Sequence, residues 1–267
     1  MPELPEVETI KRQLKRGILN KKIKEVIVKD KRLIKGISPQ IFKSKVEGKS
    51  IKDISRRGKV LIIKLEERLF LIFHLRISGL LILSKTTEDF SRVIFRLGDN
   101  RLLNFCDARV FGEIRLINDW QKLPFIKAMG PEPLELNKER FVKLFEGKKA
   151  KIKPLLMDQK LLAGVGNIYA QESLFCAGIH PERRADRVRS GELEKVHHCL
   201  TSILKEAIKK KGTSVDTYRQ IDGQEGGYIP FLQVYQRENK PCLNCKTTIK
   251  RELIGGRGTY FCPHCQR

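Results

Sequence analysis

Four cysteines near the C-terminus carry the plainest chemistry in this chain. Cys242 and Cys245 make one C-x2-C pair and Cys262 and Cys265 a second, with 16 residues between the pairs. Two such knuckles can place four thiolates tetrahedrally around one Zn2+. With sulfur at every position no site stays open for a reacting water, so this zinc is structural. Nothing nearby resembles the βαβ unit in which redox-active cysteines would be expected. Between the pairs, "KRELI" and "TYF" joined by "GGRG" read as a hairpin with Arg257 among glycines at its tip. A guanidinium there is suited to gripping a phosphate, although the same residue can be an ordinary solvated arginine on a glycine turn.

A second anion site is suggested by "AGVGN". Gly164-Val165-Gly166 lacks the strand that a dinucleotide fingerprint needs, and reads instead as a glycine turn feeding a helix that begins near Asn167. The free N–H groups of that helix start, with the Asn167 amide, can hold an anion, and Lys149, Lys151 and Lys153 lie just upstream. Taken alone this is a weak signal, because many helices start this way and bind nothing. The opening "MPELPEVETI" raises a third possibility. Removal of Met1 leaves Pro2 with a free secondary amine, whose reference pKa of about 7.7–8.0 is far below that of lysine. A neutral amine can attack a sugar C1′ and form a Schiff base, and Glu3 can move the protons required. The plain alternative is a proline-rich helix cap.

These residues need elements to position them. The chain has 267 residues, with 54 Lys and Arg against 31 Asp and Glu, a formal charge of +23. That excess calls for a polyanionic partner such as nucleic acid, since neutralising phosphates releases condensed counterions. The most apolar stretch, Leu69 to Leu83, is broken by His74, Arg76 and Ser78 and is too short to span a membrane. Cys106, Cys176 and Cys199 read as core residues, and the odd cysteine total points to a reducing cytoplasm. "IKEVIVKD", "KVLIIKL", "LFLIFHL" and "RVIFRLGDNRLLNF" read as strands. Val7, Ile10, Leu14 and Ile18 mark an N-terminal helix, and Ser190 to Lys211 a long amphipathic one. The fold class is therefore α+β and multidomain. A β-rich domain with one leading helix occupies residues 1–130, a linker and helical part 131–234, and a zinc module 235–267.

Six motifs in order carry a resemblance over essentially the whole chain. "PELPEVET", "SRRGKVL", "HLRISG", "DARVFG", the run from "MGPEPL" to "KPLLMDQKLLAGVGNIYAQE", and "GRGTYFCPHC" are similar to those of the bacterial formamidopyrimidine-DNA glycosylases, also called MutM or 8-oxoguanine DNA glycosylases. The resemblance implies an N-terminal β-sandwich, a helix-two-turns-helix domain and a β-hairpin zinc finger. It implies a monomeric, cytoplasmic, nucleoid-associated enzyme of base excision repair. Its substrate would be duplex DNA with oxidised purines, cleaved through a Pro2 Schiff base and nicked by β,δ-elimination. Glu3 would be the acid/base and Lys59 the catalytic lysine. Arg257 would donate the last proton and, with Asn167, grip the phosphates flanking the lesion; Lys149 and Lys153 would add DNA contacts. Arg109, Phe111 and Ile77 would fill the gap left by the flipped nucleotide.

The chain departs from the family pattern in places. Ile77 stands where methionine is usual, Asp216 where arginine is common, Lys211 where glycine is usual, and "EDFSRV" replaces a histidine-containing DNA-contacting stretch. Two other readings remain at this point: an endonuclease VIII-like enzyme for oxidised pyrimidines, and a non-enzymatic zinc-finger protein that binds damaged DNA. Leu4, where the endonuclease VIII group has glycine, favours the purine branch.

Overall fold

The apolar spacing at the N-terminus produces the helix it predicts. In the computed structural model, which describes residues 1–267, α1 spans Leu4–Ile18 and buries Val7, Ile10, Leu14 and Ile18 on one face. Pro5 sits in its first turn, where a missing N–H costs nothing, and Lys15 and Arg16 complement its C-terminal end.

Residues Met1–Lys127 and Lys210–Ile229 form one compact unit. After α1 come β1 (Ile23–Val28), β2 (Ile34–Lys35), α2 (Pro39–Val46), β3 (Ile51–Arg57), β4 (Val60–Leu65), β5 (Phe70–His74), β6 (Gly79–Ser84), β7 (Ser91–Leu97), β8 (Leu102–Asp107), β9 (Glu113–Ile117) and the short α3 (Pro124–Lys127). They build two sheets, one in the order β1-β7-β8-β6 and the other β2-β9-β5-β4-β3. All neighbours are antiparallel except β2 and β9. Alternate residues of each sheet meet in a shared core. Phe73 of β5 lies with its ring centroid 5.9 Å from Phe95 of β7 and 5.7 Å from Phe105 of β8, both edge to face. The apolar face of α1 joins the same core. Each such fully buried side chain contributes about 1.5–3 kcal/mol. This is the sandwich that the resemblance implies, built from the strands that the residue pattern predicts.

The segment 210–229 belongs to this unit through specific bonds. Leu83 N–H donates to the Ile221 carbonyl at 2.7 Å, Gln13 Nε2 to Gln220 Oε1 at 2.7 Å, and Thr213 N–H to Glu6 Oε1 at 2.9 Å. Gly212 is required there: its φ is +87°, and a Cβ would lie 3.0 Å from the Glu6 side chain.

The second unit comprises Ala128–Lys209 and Pro230–Arg267. It contains α4 (Lys138–Phe145), α5 (Ile152–Met157), α6 (Asn167–Ala177), α7 (Ser190–Lys209), β10 (Lys250–Ile254) and β11 (Arg257–Phe261). α6 begins at the residue expected of it and ends on Gly178, left-handed at φ 78°. Buried Glu172 of α6 accepts the N–H groups of Gln233, Val234 and Tyr235, fastening the chain that leads into the zinc module.

One cysteine expectation is corrected. Cys176 and Cys199 are not two separate core residues; they form a disulfide joining α6 to α7, with Cα atoms 5.9 Å apart, and Cys176 is exposed. Their pairing arises from packing of two helices whose cysteines lie 23 residues apart, which sequence spacing alone does not reveal. Cys106 is buried and free, as expected. No helix is long and apolar enough to cross a membrane.

Candidate active site and nucleic-acid interface

The N-terminus is held by a bracket of glutamates. Pro2 and Glu3 are buried, and Glu3 caps α1; its N–H donates to Glu6 Oε2 at 2.8 Å. Glu6 also receives Thr213 N–H and so ties the first turn of α1 to segment 210–229. The Met1 amino group lies 3.7 Å from Asp216 Oδ2 on that segment.

Lys59 occupies the two-residue turn, with Gly58 at φ 55°, that joins β3 to β4. It is only 8% exposed. Arg56 fixes this turn against α1, with Nε donating to Glu8 Oε2 at 3.1 Å and Nη1 to the Gly58 carbonyl at 2.9 Å. Burial works to raise the Glu8 carboxyl, but Lys11, Arg12 and Arg56 outweigh it and hold the group ionised, below its ordinary value. His74 pairs with Val60 next to the Lys59 turn; burial, then Arg76 and Lys59, push its imidazole down to about 4, so it is neutral near pH 7.

Ile77, Arg109 and Phe111 are gathered at one end of the four-stranded sheet, where β6 begins and β8 ends. Phe111 is 54% exposed and is no core residue; Arg109 lies 5.6 Å from its ring centre. Asp107 builds the loop. This buried carboxylate accepts Arg109 N–H at 3.1 Å and Gly112 N–H at 2.7 Å, and also accepts from Ser78 Oγ. It therefore links the turn carrying Ile77 to the loop carrying the other two. Glu113 anchors the Ile77 turn from below, accepting Arg76 Nη2 at 2.7 Å. Asp107 had no assigned role from sequence, because nothing in "DARVFG" shows that its acid turns inward.

In the second unit the two expected phosphate grips are knit together. β10 and β11 are joined by Gly255 and Gly256 at φ 59° and 71°, the backbone of a tight two-residue hairpin, and Arg257 follows directly. Asn167 Nδ2 and Gln171 Nε2 both donate to the Gly258 carbonyl at 3.2 Å, and Tyr260 N–H donates to Gln171 Oε1 at 2.6 Å. Asn167 Oδ1 is buried without a partner. Lys153 is fully buried and reaches Thr259 Oγ1 at 2.7 Å, whereas Lys149 is exposed and Lys151 pairs with Glu182. So the start of α6, Lys153 and the hairpin form one framework, with Lys149 apart from it.

The four cysteines converge. Their sulfurs all lie within 4.8 Å of one another, with Cys242–Cys265 at 3.9 Å and Cys245–Cys262 at 3.4 Å. A tetrahedron of thiolates about Zn2+ has an edge of about 3.8 Å, so the set suits that ion. The apolar cluster beneath is small: Phe175, Val234 and Ile249 with the cysteines. A module with so little core needs a metal to hold it.

An N-terminal sandwich with a capped amino end, a helix-start grip and a four-cysteine hairpin together define a nucleic-acid-processing architecture. Residues 1–114 match the formamidopyrimidine-DNA glycosylase N-terminal domain, 129–219 the H2TH domain of the same family, and 239–267 the zinc finger found in FPG and IleRS. The formamidopyrimidine-DNA glycosylase of Desulfitobacterium hafniense (strain DSM 10664 / DCB-2) is 38% identical over 273 residues, covering 100% of both chains. A Lactococcus lactis FPG variant, solved with Fapy-dG-containing DNA, superposes with a TM-score of 0.93 at 36% identity over 100% of each chain. The L. lactis enzyme with abasic-site DNA gives 0.92 at 35%, over 99% of each. The chain belongs to the formamidopyrimidine-DNA glycosylase family.

Proposed function

We propose that this chain is a DNA glycosylase and abasic-site lyase of base excision repair, acting on oxidised purines in duplex DNA through the amine of Pro2. The observation that carries the reading is the bracket at the N-terminus: the helix cap and the Glu3–Glu6–Thr213 bonds fix the residue that becomes the amino end. The neutral amine attacks C1′, the bond from C1′ to the damaged base breaks, and a Schiff base forms. Glu3 moves the protons of base loss and ring opening, and Lys59 acts at the sugar and its phosphate. Elimination then releases the strand, with Arg257 donating the final proton. The L. lactis relatives solved with Fapy-dG and abasic-site DNA favour this substrate class.

Asn167, Arg257 and Lys149 hold the backbone, while Lys153, expected from sequence as a further DNA contact, is fully buried and instead braces the hairpin through Thr259; Ile77, Arg109 and Phe111 enter the duplex where the lesion leaves it. The zinc would hold the hairpin that carries Arg257 and would itself take no part in bond making. The work divides among residues 1–130 with the segment 210–229 that joins them, the rest of 131–234, and 235–267, and the protein acts as a monomer at the nucleoid in the bacterial cytoplasm. A paired excision assay tests the substrate class. Duplex with 8-oxoguanine is cleaved faster than duplex with an oxidised pyrimidine; the reverse order would assign the chain to the pyrimidine branch.

A further inference from the structure

A disulfide is out of keeping with the other thiols of this chain. Cys106 is buried and free, and Cys242, Cys245, Cys262 and Cys265 converge in an arrangement that suits zinc, so five of the seven cysteines fit a reducing setting. Cys176 and Cys199 alone are joined. Their two ends are not equally placed. Cys176 is exposed near the end of α6, whereas Cys199 is 3% exposed within α7. A bond with one open end can be attacked from solvent at the Cys176 sulfur, with Cys199 as the departing thiolate, and exposed disulfides are the labile class.

The end of α6 also meets the zinc module through several bonds. Phe175, next to Cys176, packs in the small apolar cluster with Cys242 and Cys262. Arg267 N–H donates to the Gly178 carbonyl at 3.0 Å, His180 N–H to the Arg267 carbonyl at 3.0 Å, and Gln266 Nε2 to the Ile179 carbonyl at 2.9 Å. Gln266 Oε1 in turn accepts Cys262 N–H at 2.9 Å. The start of the same helix supplies Asn167 and Gln171 to the Gly258 carbonyl. α6 is thus the shelf on which the second cysteine knuckle and the hairpin both rest, and the Cys176–Cys199 bond fixes that shelf to α7.

We propose that Cys176 and Cys199 form a reversible oxidation site, closed by peroxide and opened by a small dithiol, which when closed fixes α6 under the zinc module. In closing, the Cys176 thiolate attacks one peroxide oxygen; the O–O bond breaks, hydroxide leaves and a sulfenic acid forms. The Cys199 sulfur then displaces that hydroxyl, the S–S bond forms, and the Cys199 proton departs with the hydroxyl as water. Two thiols and one hydrogen peroxide become one disulfide and two waters. In opening, a dithiol attacks the Cys176 sulfur and Cys199 leaves as a thiolate; the second sulfur of the dithiol then frees Cys176, and the dithiol is oxidised. The closed bond limits local opening of α6 and, with it, loss of zinc. Peroxide that oxidises purines would also brace the protein; that link to repair rests on the proposed function, whereas the sulfur chemistry does not.

The test uses full-length, zinc-loaded protein. Alkylation and mass spectrometry follow the Cys176–Cys199 bond after millimolar dithiothreitol, and again after the reductant is removed and one equivalent of hydrogen peroxide is added. A chromogenic chelator follows zinc release from each state. The bond is expected to open with zinc still bound, to close under peroxide before any zinc cysteine is oxidised, and to slow zinc release about tenfold when closed. Cys176→Ser, at an exposed position, should release zinc at the open-state rate whatever the treatment. A bond that resists the dithiol until the protein unfolds would make it a fixed structural disulfide and overturn the proposal. Equal zinc release from both states, or oxidation of the zinc cysteines first, would overturn it as well. Excision of 8-oxoguanine is read in parallel: with the bond cycling as expected, no cleavage in either state would defeat the proposed function and leave the oxidation site standing.

Discussion

At position 77 a branched isoleucine occupies the place where relatives commonly have a flexible methionine, and it is 37% exposed. Isoleucine fills space but has fewer rotamers with which to follow an irregular gap. Ile77→Met is expected to change single-turnover excision by different factors according to the base opposite the lesion. Equal rates for both proteins opposite every base would contradict this. His74 offers a prediction in pH. Burial, then Arg76 and Lys59, hold its folded pKa near 4, below the ordinary 6.5. The stability carried by the neutral ring is therefore complete above about 6.5 and drains away as pH falls toward about 4. The natural protein should lose more Tm across that window than His74→Gln, whose side chain can still accept the Arg76 N–H. Parallel losses would show that His74 titrates without consequence.

Elements make their own predictions. The apolar cluster under the zinc hairpin is small, and Arg257 and Gly258 depend on that hairpin for their position beside Asn167. Removing zinc with a chelator should unfold the hairpin and weaken DNA binding, with recovery when zinc is restored. Binding that survives chelation would mean that the finger stands without its metal. The Cys176–Cys199 bond closes α6 to α7 across 23 residues. A loop of that size corresponds to about 3 kcal/mol of stabilisation through the unfolded chain. Thermal melts with and without a reducing agent, beside Cys199→Ser, read it directly; identical melts would mean that the bond contributes nothing. The elements themselves were legible where periodicity speaks: the stripe Val7–Ile10–Leu14–Ile18 predicted α1, and "KVLIIKL" predicted β4. Long-range bonds were not. The inward turn of Asp107 and the disulfide depend on which strands and helices meet, and residue spacing carries no record of that.

At the scale of the whole molecule, a charge of +23 gives the chain a long-range attraction to DNA. Within the first unit, α1, the Lys59 turn and segment 210–229 converge through Glu6, Glu8 and Arg56. Within the second, α6, Lys153 and the hairpin converge on Gly258 and Thr259. The candidate residues stand out in the sequence as motifs, but the framework holding them had to be seen. Glu6 and Gln171 read as ordinary helix residues until their partners, Thr213 and Gly258, are known. The central claim is that the amine left by Met1 removal attacks the sugar. Borohydride reduction during reaction with abasic-site duplex, followed by mass spectrometry of the trapped protein, addresses it most directly. The expected product is a stable adduct on the Pro2 nitrogen, absent when that nitrogen is acetylated. An adduct on a lysine, or undiminished strand cleavage by the acetylated protein, would contradict the account.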